Sequence, residues 1–326
     1  MPDESQPIGG RIRPPQTVLG VALICLAAAL AAQGGRSSVT LDLVAQLAPI
    51  WLAGSAVAAV AALWVRRPWR LPLAAAAGLG LAASGSLILP EVSRPAPGGA
   101  PAPGAARLRI IQINEGGSGL RRPDVAADWL SREKPDLIFV DDPDPGFQAA
   151  IERRGFFWRR GTAWTGIASR NPSFHSAIAF SAHDWATMPD LARALYPTVN
   201  GPSIELIAVH LHRPLPGPSA RDAGAVRALE DLSSRYDRRR LIIAGDFNLT
   251  PWSFGLRRLD RRLGLQRRDR AAFSWPARLA GLPWPLPILP IDHLYAGAGW
   301  RTVAVKVGPA IGATHYPLVV DLEAAP

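Results

Sequence analysis

From Val44 to Val65 the chain runs for twenty-two residues without a charged side chain. A helix needs about 20 apolar residues to cross the hydrocarbon core of a bilayer, so this run is read as a membrane span. Two more apolar runs flank it, Thr17–Ala32 and Leu71–Leu89, where Ala and Leu crowd the first ninety positions. The expectation is an N-terminal tail over residues 1–16 and three membrane helices, at 17–32, 44–65 and 71–89. The first run is short. With Arg11 and Arg13 before it and Ala29-Leu30-Ala31 near its end, it also suits a cleaved signal peptide.

Arginines in short loops prefer the cytoplasmic side. Arg11 and Arg13 precede the first run, Arg66, Arg67 and Arg70 fill the turn between the second and third, and the intervening loop holds only Arg36, with Asp42. Both clusters are inside only if the tail is cytoplasmic and the chain after Leu89 emerges outside. Cleavage of the first run leaves that result unchanged, so the rest of the chain is expected to be an extracytoplasmic domain on a multi-pass anchor in the cell membrane.

Residues 90–106 read PEVSRPAPGGAPAPGAA, a Pro/Gly/Ala-rich composition that builds no core and suits an extended, semi-rigid linker. Residues 107–326 form the remaining domain. In it short β-rich runs alternate with helical patterns: Leu108–Ile113, Leu137–Val140, Ser176–Phe180, Ile204–Val209, Leu241–Ala244, Ile291–Tyr295, Val303–Val307 and Leu318–Leu322 as strands, and Pro123–Arg132, Ala220–Tyr236 and Trp252–Leu263 as helices. The net charge of +10 would ordinarily indicate an anionic partner. It is discounted here, because all basic residues except Lys134 and Lys306 are Arg, a bias that codon usage also produces. The lone Cys25 excludes an intrachain disulfide and a thiolate metal cluster.

Polar residues end several of these strands. Asn114 closes the first, Asp141 and Asp142 the second, His210 follows Ile207-Ala208-Val209, and Asp246 with Asn248 follows Leu241–Gly245. Strands aligned in a sheet bring such ends together although long stretches of chain separate them. Hard oxygen ligands, imidazoles and an amide are the inventory of phosphoester hydrolysis: a divalent cation neutralises phosphate oxygens, a carboxylate positions water, and imidazoles handle protons.

These residues resemble the endonuclease/exonuclease/phosphatase superfamily, which includes DNase I-like nucleases, neutral sphingomyelinases and inositol polyphosphate 5-phosphatases. The resemblance spans Arg107 to Leu322 and rests on five segments in family order: IIQIN ending at Asn114, PDLIFVDD at Pro135–Asp142, AVHL around His210, GDFNLTPWS from Gly245, and IDHLY followed by THYPLVVDL. It implies a four-layer α/β sandwich, two mainly antiparallel sheets flanked by helices. It also implies a catalytic set of Asp246, Asn248, His210, Asp292 and His315, and a metal site at Asn114 and Asp142 for Mg²⁺ or Mn²⁺. Asp246 would activate water, His210 would contact the phosphate, and Asp292 would orient His315. The implied substrate is a phosphoester of nucleic acid or of a phospholipid headgroup.

Two positions depart from the family's pattern. The usual metal-site Glu is replaced within Asp141-Asp142. Adjacent strand residues face opposite sides, so one of the pair is expected in the site, and motif register selects Asp142. Thr314 stands where an Asp usually precedes the last histidine. These departures keep open a rival expectation, a catalytically degenerate binding domain of the same fold. His175, His183, His212 and His293 are read as surface or packing residues, and Arg257–Arg270 as a solvated helix face. Ala271–Pro290, with Trp275, Trp284 and five prolines, is read as a loop packed on the sandwich; covering the site or touching the bilayer are the alternatives.

Overall fold

A computed structural model describes residues 14–116, 122–161, 164–176, 190–198, 201–213 and 220–325. Residues 1–13 of the expected tail, His183, and 177–180 of the strand expected at Ser176–Phe180 lie outside the described residues. The chain divides into two compact units, Met1–Pro90 and Glu91–Pro326.

The apolar runs form α1 (Pro14–Gln33), α2 (Val39–Gln46), α3 (Ala48–Ala61) and α4 (Arg70–Val92). Two helices, Gln16–Arg36 and Arg70–Val92, are long and apolar enough to cross a membrane. The run expected as a span at 44–65 is built from two helices, Val39–Gln46 and Ala48–Ala61, bent by 56° and together apolar and long enough for a third, broken span. The break falls at Leu47, whose φ of −97° and ψ of 16° leave the helix, just ahead of Pro49 in the first turn of α3. A proline there offers no N–H to continue the upstream helix. Ala22, Ala58, Ala62, Ala76 and Ala77 pack around Leu73; small side chains let helix backbones approach closely.

The second unit holds two six-stranded sheets. The first has the order β13 (Trp300–Val307), β14 (Leu318–Ala324), β1 (Arg107–Asn114), β2 (Leu137–Asp141), β4 (Thr165–Ser169) and β3 (Phe157–Arg160). The second runs β5 (His175–Ser176), β6 (Asp190–Thr198), β7 (Gly201–His210), β8 (Ile242–Asp246), β12 (Asp292–Ala296) and β9 (Gln266–Arg267). Only β1–β2 and β7–β8 are parallel; the other pairings within these sheets are antiparallel. A small hairpin, β10 (Arg278–Leu279) and β11 (Leu282–Pro283), stands apart.

Alternation along the strands builds the layers. Leu108 and Ile110 of β1, Leu137 and Phe139 of β2, Leu206 and Ala208 of β7, Ile242 and Ala244 of β8, and Leu294 and Ala296 of β12 share the core between the sheets. The intervening residues, such as Ile111, Ile113, Ile138 and Val140, pack beneath α5 (Pro123–Glu133) and α6 (Pro145–Glu152). Ile207, Val209, Ile243 and Tyr295 pack beneath α7 (Ala220–Arg235) and α8 (Phe254–Leu263). Helix, sheet, sheet, helix is the four-layer sandwich that the motifs implied. In α8 the apolar Leu256, Leu259 and Leu263 are buried while Arg261 and Arg262 are exposed, but the solvated face expected over Arg257–Arg270 does not extend past the helix: Arg267, Arg268 and Asp269 are buried, Arg267 beside Asp260 and Asp269.

Six strands escaped the sequence patterns, the two-residue β9, β10 and β11 among them. β3 and β4 are short, and β6, reading DLARALYPT, contains a helix-like LARAL. The Pro/Gly-rich stretch expected as a spacer is laid along the sandwich. Gly99 N–H donates to Val303 O at 3.1 Å, and Ala102 N–H donates to the Glu323 carboxylate at 3.0 Å.

Candidate active site

The register of the two parallel pairs assembles the site. In the first sheet Asn114 is paired with Asp141; in the second His210 is paired with Asp246, and Asp246 with Asp292. Each lies an even number of residues along from a core residue of its strand, so all five point between the sheets at one end of the sandwich. Gly245 makes the approach of β7 and β8 possible: at φ 154° a Cβ there would lie 1.8 Å from Val209 O.

Asp246 Oδ2 is the point of convergence. Asn114 Nδ2 donates to it at 2.9 Å, His210 Nε2 lies 3.8 Å away and His315 Nε2 3.9 Å away. The other oxygen, Oδ1, accepts the Asn248 N–H at 2.7 Å, a local turn that Asp favours. Asn248, at φ 50°, donates its side-chain amide to Leu211 O at 2.7 Å and so ties the turn to the end of β7. His315 Nδ1 donates to Asp292 Oδ2 at 2.7 Å, and Asp292 also accepts from Gln112 Nε2 at 2.7 Å and from Ser274 Oγ.

The motif register selects Asp142 for the inward position and leaves Asp141 outward, whereas Asp141 is the one buried between the sheets and Asp142 reaches His210 from beyond the strand end. Asp141 is fully buried, with Oδ2 accepting from Gln112 Nε2 at 3.0 Å and from the Asp246 N–H at 2.8 Å. Asp142 leaves the strand at φ 52°, which turns its carboxylate back to within 3.5 Å of His210 Nδ1. Counting by twos from Phe139 selects Asp141; a backbone that breaks alternation one residue later is invisible to that count. The count from Ile110 likewise marks Gln112, which is absent from the motif-based set. Ser274 offered no signal, being in a loop. Glu115, directly after Asn114, is also buried and accepts from the Asp144 N–H at 3.2 Å.

Burial sets the electrostatics. Desolvation raises the pKa of Asp141 well above the ordinary carboxylate value, with the nearby Asp246 and Asp292 adding to the rise. Desolvation, then the charge of Asp292, raises Asp246. Asp292 is lowered: burial opposes ionisation, but the charge and hydrogen bond of His315 outweigh it. His315 is raised because Asp292 outweighs its own burial. For His210, burial is overcome by Asp142, Asp246 and Asp141, and its pKa rises to about 10. Glu115 rises to about 9, chiefly through burial.

Asp246, Asp292 and His315 each offer a ligand atom within 4.8 Å of one another, a set able to hold a metal ion. Asn114 Oδ1 and Asp141 Oδ1 are buried without a hydrogen-bond partner among the described residues. Uncompensated buried oxygens are costly, and several acids confined together favour a cation between them, so the donor set fits a hard divalent ion. Thr314 contributes no carboxylate; its buried Oγ1 lies against Gly116, where a Cβ would come within 2.0 Å of it.

His293, read from sequence as a packing or surface residue, is fully buried one position beyond Asp292. Its Nδ1 meets Asp269 Oδ2 at 2.7 Å and its Nε2 meets Leu249 O at 2.8 Å. Asp269 is held below the ordinary carboxylate range: burial opposes this, but the charge and hydrogen bond of His293 outweigh it.

Residues 111–315, well over half of the chain, match the endonuclease/exonuclease/phosphatase family. The chain belongs to that family. Comparison with curated proteins finds no match. Among solved structures of similar fold, the endonuclease/exonuclease/phosphatase from Bacteroides vulgatus has a TM-score of 0.55 at 14% identity, over 68% of this chain and 100% of that one. The family protein from Bacteroides thetaiotaomicron gives 0.53 at 12% identity, over 68% and 99%. D. rerio TDP2 complexed with a single-strand DNA product gives 0.50 at 16% identity, over 67% and 99%. Identities this low speak for the shared fold. Family members are phosphoester hydrolases, and the protein is an enzyme of that class.

Proposed function

We propose that the protein is a membrane-anchored, divalent-metal-dependent phosphodiesterase or phosphatase whose catalytic domain lies outside the cytoplasm. The observation that carries the chemistry is the convergence of Asn114, His210 and His315 on Asp246 Oδ2. Oδ1 is bound by the Asn248 N–H, whereas Oδ2, which accepts from Asn114 and faces both histidines, is the oxygen placed to orient water, and a raised pKa suits the carboxylate to accept the proton. The water oxygen bonds to phosphorus as the ester P–O bond breaks. His210, kept protonated by the surrounding acids, gives its proton to the leaving oxygen. His315, oriented by Asp292, stabilises charge on the non-bridging oxygens.

Asn114 and Asp141 are the ligands that their unpartnered oxygens favour, and Asp142, first assigned that role, becomes the group that orients His210. Mg²⁺ or Mn²⁺ suits such oxygen donors. When bound, the ion supplies charge neutralisation at the phosphate. The substrate class is a phosphoester of nucleic acid, as in the DNA-bound structure of similar fold, or of a phospholipid headgroup, as a membrane tether suggests.

The test is hydrolysis of bis(p-nitrophenyl) phosphate by the full chain in detergent with Mg²⁺ or Mn²⁺, beside Asp246→Ala and His315→Ala. Equal rates in all three would overturn the catalytic assignment, and an undiminished rate after chelation would overturn the metal. A reporter enzyme fused after Pro326 tests the topology: activity confined to the cytoplasm contradicts the arginine argument.

A further inference from the structure

The segment Ser274–Leu289 leaves the sandwich beside the site and returns to it. At its base Ser274 and Trp275 donate backbone N–H groups to Leu289 O at 3.2 and 3.0 Å, and Ile288 and Leu289 donate to Trp275 O at 2.7 and 2.8 Å. It is rooted in the catalytic machinery: Ser274 Oγ donates to Asp292, and Ala277 N–H donates at 2.7 Å to the carbonyl of Thr314, next to His315. Farther out, β10 and β11 are joined through Ala280 and Gly281, both at positive φ, 49° and 79°, the geometry of a tight two-residue hairpin turn.

The outer part is apolar and open. Leu279 is 50% exposed, Leu282 70%, Trp284 37%, Leu286 67% and Ile288 40%. Single exposed apolar residues are ordinary; five within one short hairpin mark a contact surface.

Several of its polar groups are bonded within the segment or to Tyr316. Pro283, Pro285, Pro287 and Pro290 carry no N–H. Trp284 donates its backbone N–H to Ala277 O at 2.8 Å and its indole N–H to Leu286 O at 2.7 Å. The carbonyl of Gly281 accepts from Arg278 at 2.6 Å, and that of Trp284 from Tyr316 Oη at 2.7 Å. Protein partners commonly take a hairpin by adding a strand to its free N–H edge, which alternating prolines remove. A lipid phase asks for the opposite, apolar side chains outward with backbone groups bonded internally, and it favours Trp at its boundary. The chain also carries two helices long and apolar enough to cross a membrane, which would keep such a phase within reach.

We propose that this hairpin enters the headgroup boundary of a bilayer and sets the neighbouring site to act on phosphoesters presented at a lipid surface. The substrate part rests on the hydrolase reading above; the lipid contact does not.

The full chain, reconstituted in phosphatidylcholine–phosphatidylglycerol vesicles, carries an environment-sensitive fluorophore at Leu286→Cys in a Cys25→Ala background, with a second preparation labelled at the exposed Glu152→Cys. Doxyl-labelled lipid is expected to quench the first label and spare the second. No quenching at position 286, or a blue shift without quenching, which would signal a protein partner, overturns the proposal. In parallel, Leu282→Asp/Leu286→Asp is expected to lower turnover of a vesicle-borne phospholipid about tenfold or more while leaving soluble bis(p-nitrophenyl) phosphate turnover unchanged. A fall in both, or in neither, overturns the substrate assignment. If the wild type hydrolyses no ester, the hydrolase reading fails, and quenching still decides the lipid contact.

Discussion

Replacing His293 by Leu removes the side chain that fastens the active-site turn from behind. Both ring nitrogens face oxygen acceptors, Asp269 Oδ2 at 2.7 Å and Leu249 O at 2.8 Å, and the residue is fully buried. A leucine of similar volume leaves the Leu249 carbonyl unbonded and takes from Asp269 Oδ2 its 2.7 Å imidazole partner. The carboxylate would keep Arg267 Nη1 at 3.4 Å and the Leu294 N–H at 3.0 Å. Breaking a buried pair from one side costs about 3–5 kcal/mol, a large share of the ~5–15 kcal/mol by which a domain is stable. The assay is urea denaturation of the full chain in detergent, read by near-UV circular dichroism, because eight of the eleven tryptophans lie after Glu91. Asp269 has a depressed pKa in the folded state, so its contribution is complete above the unfolded carboxylate value, roughly pH 4, and fades as pH falls through the folded value. The difference between wild type and variant should therefore be flat near neutrality and shrink in acid. A variant within about 0.5 kcal/mol of wild type at pH 7, the range of an unremarkable surface change, would refute the reasoning. So would a difference that grows as pH falls.

Asp292→Asn keeps the shape but removes the charge partner of His315. A charge-assisted hydrogen bond is worth about 1.5–3 kcal/mol, so turnover of a soluble diester should fall roughly 10- to 150-fold. Because Asp292 raises His315, the activity should also be lost at lower pH on the alkaline side, and an unchanged pH–rate profile would count against that role. Gly245→Ala places a Cβ 1.8 Å from Val209 O at positive φ, and should destabilise the domain by more than about 1 kcal/mol; a wild-type urea midpoint would contradict it.

Much of the site was legible because strands are local. An apolar strand ending in Asn114, His210 or Asp246 shows its polar end in the linear sequence, and period-two alternation says which face that end shares with the core. The five motifs in order implied the four-layer sandwich, and the uncharged N-terminal runs marked helices able to cross a membrane. What alternation could not reach was the backbone that departs from it. Asp142 turns back at φ 52° to reach His210 while Asp141 keeps the inward position, and the second apolar run bends by 56° at Leu47. Partnerships across long sequence separations were equally hidden. Gln112 bonding Asp292, Ser274 bonding the same carboxylate and His293 joining Asp269 to Leu249 depend on which loops the stacked sheets bring together. The sequence alone determined the chemical groups and the strand ends that carry them. Only the tertiary structure decided their partners, because buried hydrogen bonds are selected by distance and desolvation in three dimensions, which spacing along the chain does not encode.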